Sequence, residues 1–298
     1  MLLGVFDIGG TSIKYGVINS DGHILFDIAI PTQAYLGGKA VIQTIVSIAK
    51  ELKENWHIQG ISISSAGQID SVSGVVTYAS DNIPYYSGLR VKELIEAQTD
   101  LPVKVENDVN CTAIGENWFG AADGVEDFVC ITIGTGIGGA IFLNGKLYTG
   151  QSYSAGEVGH ITLYPNGRNC TCGGSGCFEQ YASAKALEEA IFNHFDEKIT
   201  LPDFFTLVKS GNDKALVCFN QWLDDLTTGL KTLTHLLNPR LIILGGGISS
   251  QGDFLLNSIK KSLYPKLMPI HAKNLTIEMA KNGNKANLLG AAKNFFLQ

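Results

Sequence analysis

Apolar residues along this chain fall into short, nearly continuous runs of strand length, and two of these runs repeat one pattern. Residues 3–18 read LGVFDIGGTSIKYGVI and residues 128–143 read FVCITIGTGIGGAIFL. In each, a glycine-rich turn separates two apolar runs, which predicts strand, tight turn and strand. Ile58–Ser64, Val103–Glu106 and Arg240–Leu244 read as further strands, the last one followed by a glycine turn at 245–247. Helical spacing predicts helices over Lys39–Asn55, Val91–Thr99 and Val109–Trp118. A longer helix carries Leu216, Phe219, Leu223, Leu226, Leu230, Leu233 and Leu237 at intervals of three and four. Such a stripe suits a helix laid on its own domain's sheet, and a dimeric coiled coil is the other arrangement it permits. The alternation of strands and helices predicts an α/β fold, and the repeated opening predicts two related lobes, 1–118 and 119–286.

Composition narrows the functions open to such a fold. The 298 residues are 45% hydrophobic and 17% charged, with a formal net charge of −6, which gives no attraction to nucleic acid or an anionic membrane. The longest apolar runs, such as LIILGGGI at 241–248, fall well short of the roughly 20 residues that span a bilayer. The opening MLLGVFDIGG has no basic segment and is interrupted by Asp7, so it does not read as a secretion signal. We therefore expect a cytoplasmic, reducing environment, in which the sequons at Asn110, Asn169 and Asn274 carry no meaning.

That expectation bears on the cysteines. Three of the six, Cys170, Cys172 and Cys177, fall within eight positions, ten residues after His160. Three thiolates and an imidazole complete a tetrahedral zinc site with no position left for water, so such a zinc ion would be structural. Gly173, Gly174 and Gly176 allow the loop to turn tightly enough for the sulfurs to converge. A glycine-rich loop with incidental thiols, or a disulfide with one odd cysteine, are the competing readings, and the reducing compartment disfavours the second.

The glycine turns suggest phosphate. In DIGGTSIK (7–14), Gly9 and Gly10 let the backbone approach closely, while main-chain N–H groups and the Thr11 hydroxyl donate. Asp7 would repel phosphates unless a divalent cation, here Mg²⁺, stood between them. GTGIGG (134–139) and GGG (245–247) are further turns of this kind. Hairpin turns alone explain one of them; three after strands point to a nucleotide. The first turn runs into a strand rather than a helix, which is unlike a dinucleotide-binding fingerprint. ENDVN (106–110) places Asn107 and Asp108 where a strand gives way to a helix. Asp108 is there either a helix cap or a carboxylate at a strand's carboxyl end, where α/β proteins hold ligands. Glu157, three residues before His160, and Glu179, two after Cys177, read as surface acids or as acceptors anchored to the zinc loop. Many acceptors together suit a polyhydroxylated substrate.

DIGGTSIK, END, GTGIGG, GEVGH, C-x-C-x4-C with Glu179 behind it, and GGGIS resemble the ROK family of bacterial sugar kinases and repressors, from Gly4 to about Gly290. The resemblance implies an actin-like, ribonuclease H-like fold of two α/β lobes, with ATP and sugar in the cleft between them. It also implies a last helix, 287–298, packed back on the first lobe, and a homodimer or homotetramer. Asp108 matches the family's catalytic base. Gly67, Asn107, Glu157, His160 and Glu179 match sugar-contacting positions, with His160 also a zinc ligand. Asp7, Gly9, Gly10, Thr11, Lys14, Gly134, Thr135, Gly136, Gly138, Gly245 and Gly246 match the nucleotide site. The implied activity is ATP-dependent, Mg²⁺-assisted phosphorylation of a hexose or β-glucoside, at the 6-hydroxyl. N-acetylmannosamine and fructose remain open as substrates, because Tyr153 stands where family glucokinases carry glycine. A non-catalytic sugar sensor is the alternative of a different class. A repressor would need a DNA-binding domain ahead of the phosphate motif, which here begins at residue 7.

Overall fold

The computed structural model describes residues 1–297, so the final position of the expected last helix, 298, lies outside it. Contacts divide the chain into two compact units. The first comprises Met1–Gly124, Leu147–Ala155 and the chain from Lys281 onward; the second comprises Val125–Lys146 and Gly156–Ala280. Among the described residues no helix is long and apolar enough to cross a membrane.

The first unit runs β1 (Leu2–Ile8), β2 (Ser12–Asn19), β3 (Ile24–Pro31), α1 (Gly38–Trp56), β4 (Gly60–Ser65), β5 (Gln68–Asp70), β6 (Val75–Tyr78), α2 (Val91–Thr99), β7 (Val103–Asn107) and α3 (Asp108–Phe119). Its main sheet has the order β3-β2-β1-β4-β7. The β1–β2 and β2–β3 pairs are antiparallel, while β1–β4 and β4–β7 are parallel. Strand β4 starts two residues later than its apolar run predicts, because His57 ends α1 in the left-handed conformation at φ 55°.

The second unit continues with β8 (Phe128–Ile133), β9 (Ile137–Leu143), β10 (Lys146–Leu147, whose last residue falls in the first unit), α4 (Glu179–Ala182), α5 (Ala184–Phe195), α6 (Leu201–Lys209), α7 (Asp213–Leu237), β11 (Leu241–Gly245), α8 (Gly252–Leu263), α9 (Pro269–Asn274) and β12 (Thr276–Met279). Its sheet order is β10-β9-β8-β11-β12, with β8–β9 antiparallel and β8–β11 and β11–β12 parallel. The central three-strand pattern thus matches that of the first sheet, a repeat of structure that follows the repeat of sequence. The leucine stripe of α7 lies in this unit's own core, with Leu223, Leu226, Leu230 and Leu233 buried among the core of β8, β11 and α8. Burial on its own sheet accounts for the stripe.

The last helix, α10 (Ala286–Phe296), belongs to the first unit. Strand β1 is buried on both faces, which is why its apolar run hardly alternates. Phe6 and Ile8 enter the core beneath α1 and α2, whereas Leu3 and Val5 pack with Leu288, Leu289 and Ala292 of α10. Strand β4 divides likewise: Ile61 and Ile63 face α1, and the Ser62 hydroxyl donates to the Ala291 carbonyl at 2.6 Å. Helices α3 and α10 meet backbone to backbone. A methyl group on Gly115 would strike the Ala286 carbonyl, and one on Gly290 would strike that of Cys111.

Candidate active site

In the first unit, strand register assembles the polar residues. Asp7 of β1 pairs across to Lys14 of β2 on one side and to Ser64 of β4 on the other. Asp7 is buried, and its Oδ1 accepts hydrogen bonds from Ser64 Oγ and Asn287 Nδ2, each at 2.8 Å. Its Oδ2 faces Lys14 Nζ at 3.7 Å. The turn that follows β1 leaves Gly10 and Thr11 exposed. Thr32 braces it from behind, its hydroxyl donating to the Gly9 carbonyl at 2.6 Å and its N–H to the Thr11 carbonyl at 3.0 Å.

Register also carries β7 into the site, since Ser64 lies beside Glu106 and Ser65 beside Asn107. Asn107, not Asp108, is the principal cap of α3: its Oδ1 accepts the N–H groups of Val109 and Asn110. Its Nδ2 donates to the Gly67 carbonyl at 2.9 Å and to Asp108 Oδ1 at 3.0 Å. Gly67 has φ 98°, and a side chain there would lie 2.7 Å from the Tyr78 carbonyl, so only glycine suits this close bend. Burial, and then the nearby Asp7 charge, push the Asp108 carboxyl up to about 6, against hydrogen bonds from Val109 and Asn107 that pull it down. A carboxyl so poised can accept a proton near neutral pH. Buried Glu106 accepts from the Asn107 N–H at 2.8 Å and from Asn110 Nδ2 at 2.9 Å, which holds the turn into α3. Ser64 and Asn287 do not emerge from the motifs, and Glu106, although it opens END, is given no role by them. Ser64 and Glu106 sit inside runs that read as ordinary strands, and Asn287 is 280 positions from Asp7 along the chain.

In the second unit, His160, Cys170, Cys172 and Cys177 converge with their ligating atoms all within 4.8 Å of one another. Cys170 Sγ lies 3.6 Å from His160 Nδ1, and Cys172 Sγ lies 3.6 Å from Cys177 Sγ. Bonds of the usual zinc lengths at tetrahedral angles separate neighbouring ligands by about 3.5–3.8 Å. Donor type, number and spacing are therefore compatible with zinc, with Nδ1 as the metal-facing nitrogen. His160 Nε2 instead faces Glu157 Oε2 at 3.8 Å. Glu179 Oε1 stands 3.7 Å from His160 Nδ1 and accepts from Cys170 Sγ at 3.2 Å, so both acids border the cluster. The loop is also fastened without metal. Tyr164 donates to Asp225 of α7 at 2.5 Å, and Arg168 packs over the Tyr181 ring at 4.7 Å.

Two glycine turns of this unit follow its central strands. The turn at 134–136 joins β8 to β9, with Gly138 already inside β9, and the Gly134 carbonyl accepts the first N–H of α5, that of Ala184, at 2.9 Å. Gly245 ends β11, and the Gly246 carbonyl accepts from the Ser249 hydroxyl at 2.7 Å. Tyr153, in the first unit, is half-buried and adopts φ 58°.

Comparison with known proteins finds relatives along nearly the whole chain. The ROK family model matches residues 3–295. A glucokinase of Thermotoga maritima is 31% identical over 305 residues, covering 98% of this chain and 96% of that protein. A beta-glucoside kinase of Listeria monocytogenes is 32% identical, covering 99% and 97%. The crystal structure of a ROK family glucokinase from Streptomyces griseus, in complex with glucose and AMPPNP, superposes with a TM-score of 0.83 at 31% identity and covers 99% of both chains. With a family match across nearly its whole length, this chain belongs to the ROK family and is an ATP-dependent carbohydrate kinase.

Proposed function

We propose that the protein transfers the γ-phosphoryl group of ATP to the 6-hydroxyl of a hexose or β-glucoside, with Asp108 as general base. The observation that carries this reading is the Asp108 carboxyl, oriented by Asn107 and raised to about 6 by burial and Asp7. As the sugar oxygen attacks phosphorus, its proton passes to Asp108, the bond from the γ-phosphorus to the bridging oxygen breaks, and ADP leaves. Gly67, Asn107, Glu157, His160 and Glu179 hold the sugar hydroxyls. Asp7, Gly9, Gly10, Thr11, Lys14, Gly134, Thr135, Gly136, Gly138, Gly245 and Gly246 hold the nucleotide. Positioning and neutralisation of charge supply most of the catalysis in such transfers.

Two metals belong to this reading. A magnesium ion takes hard oxygen ligands, and the buried carboxylate of Asp7 beside the glycine turn offers one. Bound there, it would offset the charge of the triphosphate. A zinc ion on His160, Cys170, Cys172 and Cys177 would be structural, fixing Glu157 and Glu179 and presenting His160 Nε2 outward. Relatives named as glucokinases and as a beta-glucoside kinase support glucose and β-glucosides as candidate substrates, beside relatives named as N-acetyl-D-glucosamine kinases.

An assay of ADP release across glucose, cellobiose, fructose and N-acetylmannosamine tests the assignment. Glucose and cellobiose are expected to support turnover. Turnover on N-acetylmannosamine alone would overturn the substrate and leave Asp108 in place, whereas no ADP release with any sugar would overturn the reaction.

A further inference from the structure

Asp7 is held by more than its own turn. Strand alternation points it to the same side of the sheet as Leu3 and Val5, the side that α10 covers. There it meets Asn287, in the first turn of α10, whose Nδ2 donates to Asp7 Oδ1 at 2.8 Å. Chemistry fixes the amide's orientation. Its Oδ1 lies against the Thr112 hydroxyl of α3, a donor, while its Nδ2 faces an ionised carboxylate that can only accept. The reverse placement would set a carbonyl oxygen against the carboxylate. The same Thr112 hydroxyl lies 3.0 Å from the Asp108 main-chain carbonyl, so its single proton serves one of the two oxygens at a time. The backbone contact of α3 with α10 at Gly115 and Gly290 sets the register that brings Thr112 to Asn287.

We propose that Asn287 is a positioning residue for Asp7. Together with Ser64 it occupies Oδ1, so the carboxylate is locked with Oδ2 turned toward Lys14 and presented to the magnesium ion that accompanies ATP. The proposal rests on the reading of Asp7 as part of the nucleotide site. It makes the last helix, Thr112 and Ser64 a single bracket around one carboxylate, supplied by α10, α3 and β4.

The test is calorimetric titration of the full chain with AMPPNP at a series of Mg²⁺ concentrations, alongside glucose binding without nucleotide. Asn287→Leu keeps the side chain's bulk and removes both hydrogen bonds. The expected result is about tenfold weaker Mg²⁺-dependent AMPPNP binding, the size of a lost hydrogen bond to a charged group, with glucose binding unchanged. Ser64→Ala, which removes the second donor from the same oxygen, is expected to reproduce this pattern. Should Asn287→Leu fail to fold, Thr112→Val decides, because it is isosteric and frees the amide to rotate; about threefold weaker AMPPNP binding is expected. AMPPNP binding equal to wild type in the folded variants, or nucleotide and glucose binding weakened alike, would overturn the proposal while leaving the kinase assignment in place. Failure of the wild-type chain itself to bind AMPPNP with Mg²⁺ would remove the nucleotide-site reading and this proposal with it.

Discussion

Asp108 is held where burial and a neighbouring charge oppose its ionisation, and this has consequences for rate and for stability. Asp108→Asn retains shape and hydrogen bonding but cannot take a proton, so turnover should fall by about 10²–10⁴ with sugar affinity much less affected. Near-normal turnover would show that the carboxyl does no proton transfer. In the wild type, turnover should be lost as pH falls through about 6, where Asp108 protonates. The stability effect runs the other way. A carboxyl raised from 3.8 to about 6 favours the folded state most fully below its unfolded value, and that contribution is lost as pH rises through 6. At pH 8 the ionised group costs roughly 3 kcal/mol at most. Asp108→Asn should therefore melt higher than wild type at pH 8, with the difference closing toward pH 4; a constant difference would contradict it. Tyr153 poses a different question, because φ 58° is a conformation in which glycine is free and tyrosine is strained. Tyr153→Gly should fold without penalty. If the phenol stacks on the second ring of a β-glucoside, the variant loses about 1 kcal/mol there, under tenfold, and nothing on glucose. Equal losses on both sugars would sink that role.

The two elements that most constrain the site are the cysteine loop and the α3–α10 pair. Cys172→Ser removes a ligand from an exposed corner of the loop, and the expected outcome is loss of zinc by elemental analysis together with weaker sugar binding. The Tyr164–Asp225 bond and the Arg168–Tyr181 packing should keep the loop backbone partly ordered, so far-ultraviolet circular dichroism should change little. Active protein free of zinc would refute the metal assignment. In the helix pair, Gly290→Ala sets a methyl group against the Cys111 carbonyl and must push α10 outward. Overpacking of this kind costs about 1–3 kcal/mol or more. Chemical denaturation should register that cost, and nucleotide affinity should fall with it, because Asn287 moves with α10.

At the scale of the whole molecule, the first unit is assembled from three separate stretches of chain, the last beginning at Lys281. Without α10, Leu3, Val5 and Ile18 would lose their cover on one face of the sheet. A chain ending before Ala286 should therefore lose the cooperative unfolding of the first unit, as followed by hydrogen exchange across β1 and β4. Full protection of β1 in the shortened chain would show that the sheet stands alone.

The sequence by itself determined the local events. Unbroken apolar runs marked β1, β8 and β11, a stripe at intervals of three and four marked α7, and thiols beside glycines marked the ligand cluster, because each depends on residues close together in the chain. The α/β class and the duplicated strand–turn–strand opening were legible for the same reason, as were Asn107 and Asp108 at a strand end. Alternation hid as much as it revealed. ISISS at 61–65 reads as a strand, yet nothing in it tells that Ser62 faces a helix from the far end of the chain or that Ser64 faces a carboxylate 57 positions away. Which of the two polar residues caps α3, that Glu106 braces the turn, and that Asn287 holds Asp7 were decided only by the tertiary structure. The physical reason is that a hydrogen bond has no sequence signature when its partners are joined by strand register and helix packing rather than by proximity. The fold had to bring β1, β4, α3 and α10 together before the carboxylate at Asp7 acquired its orientation.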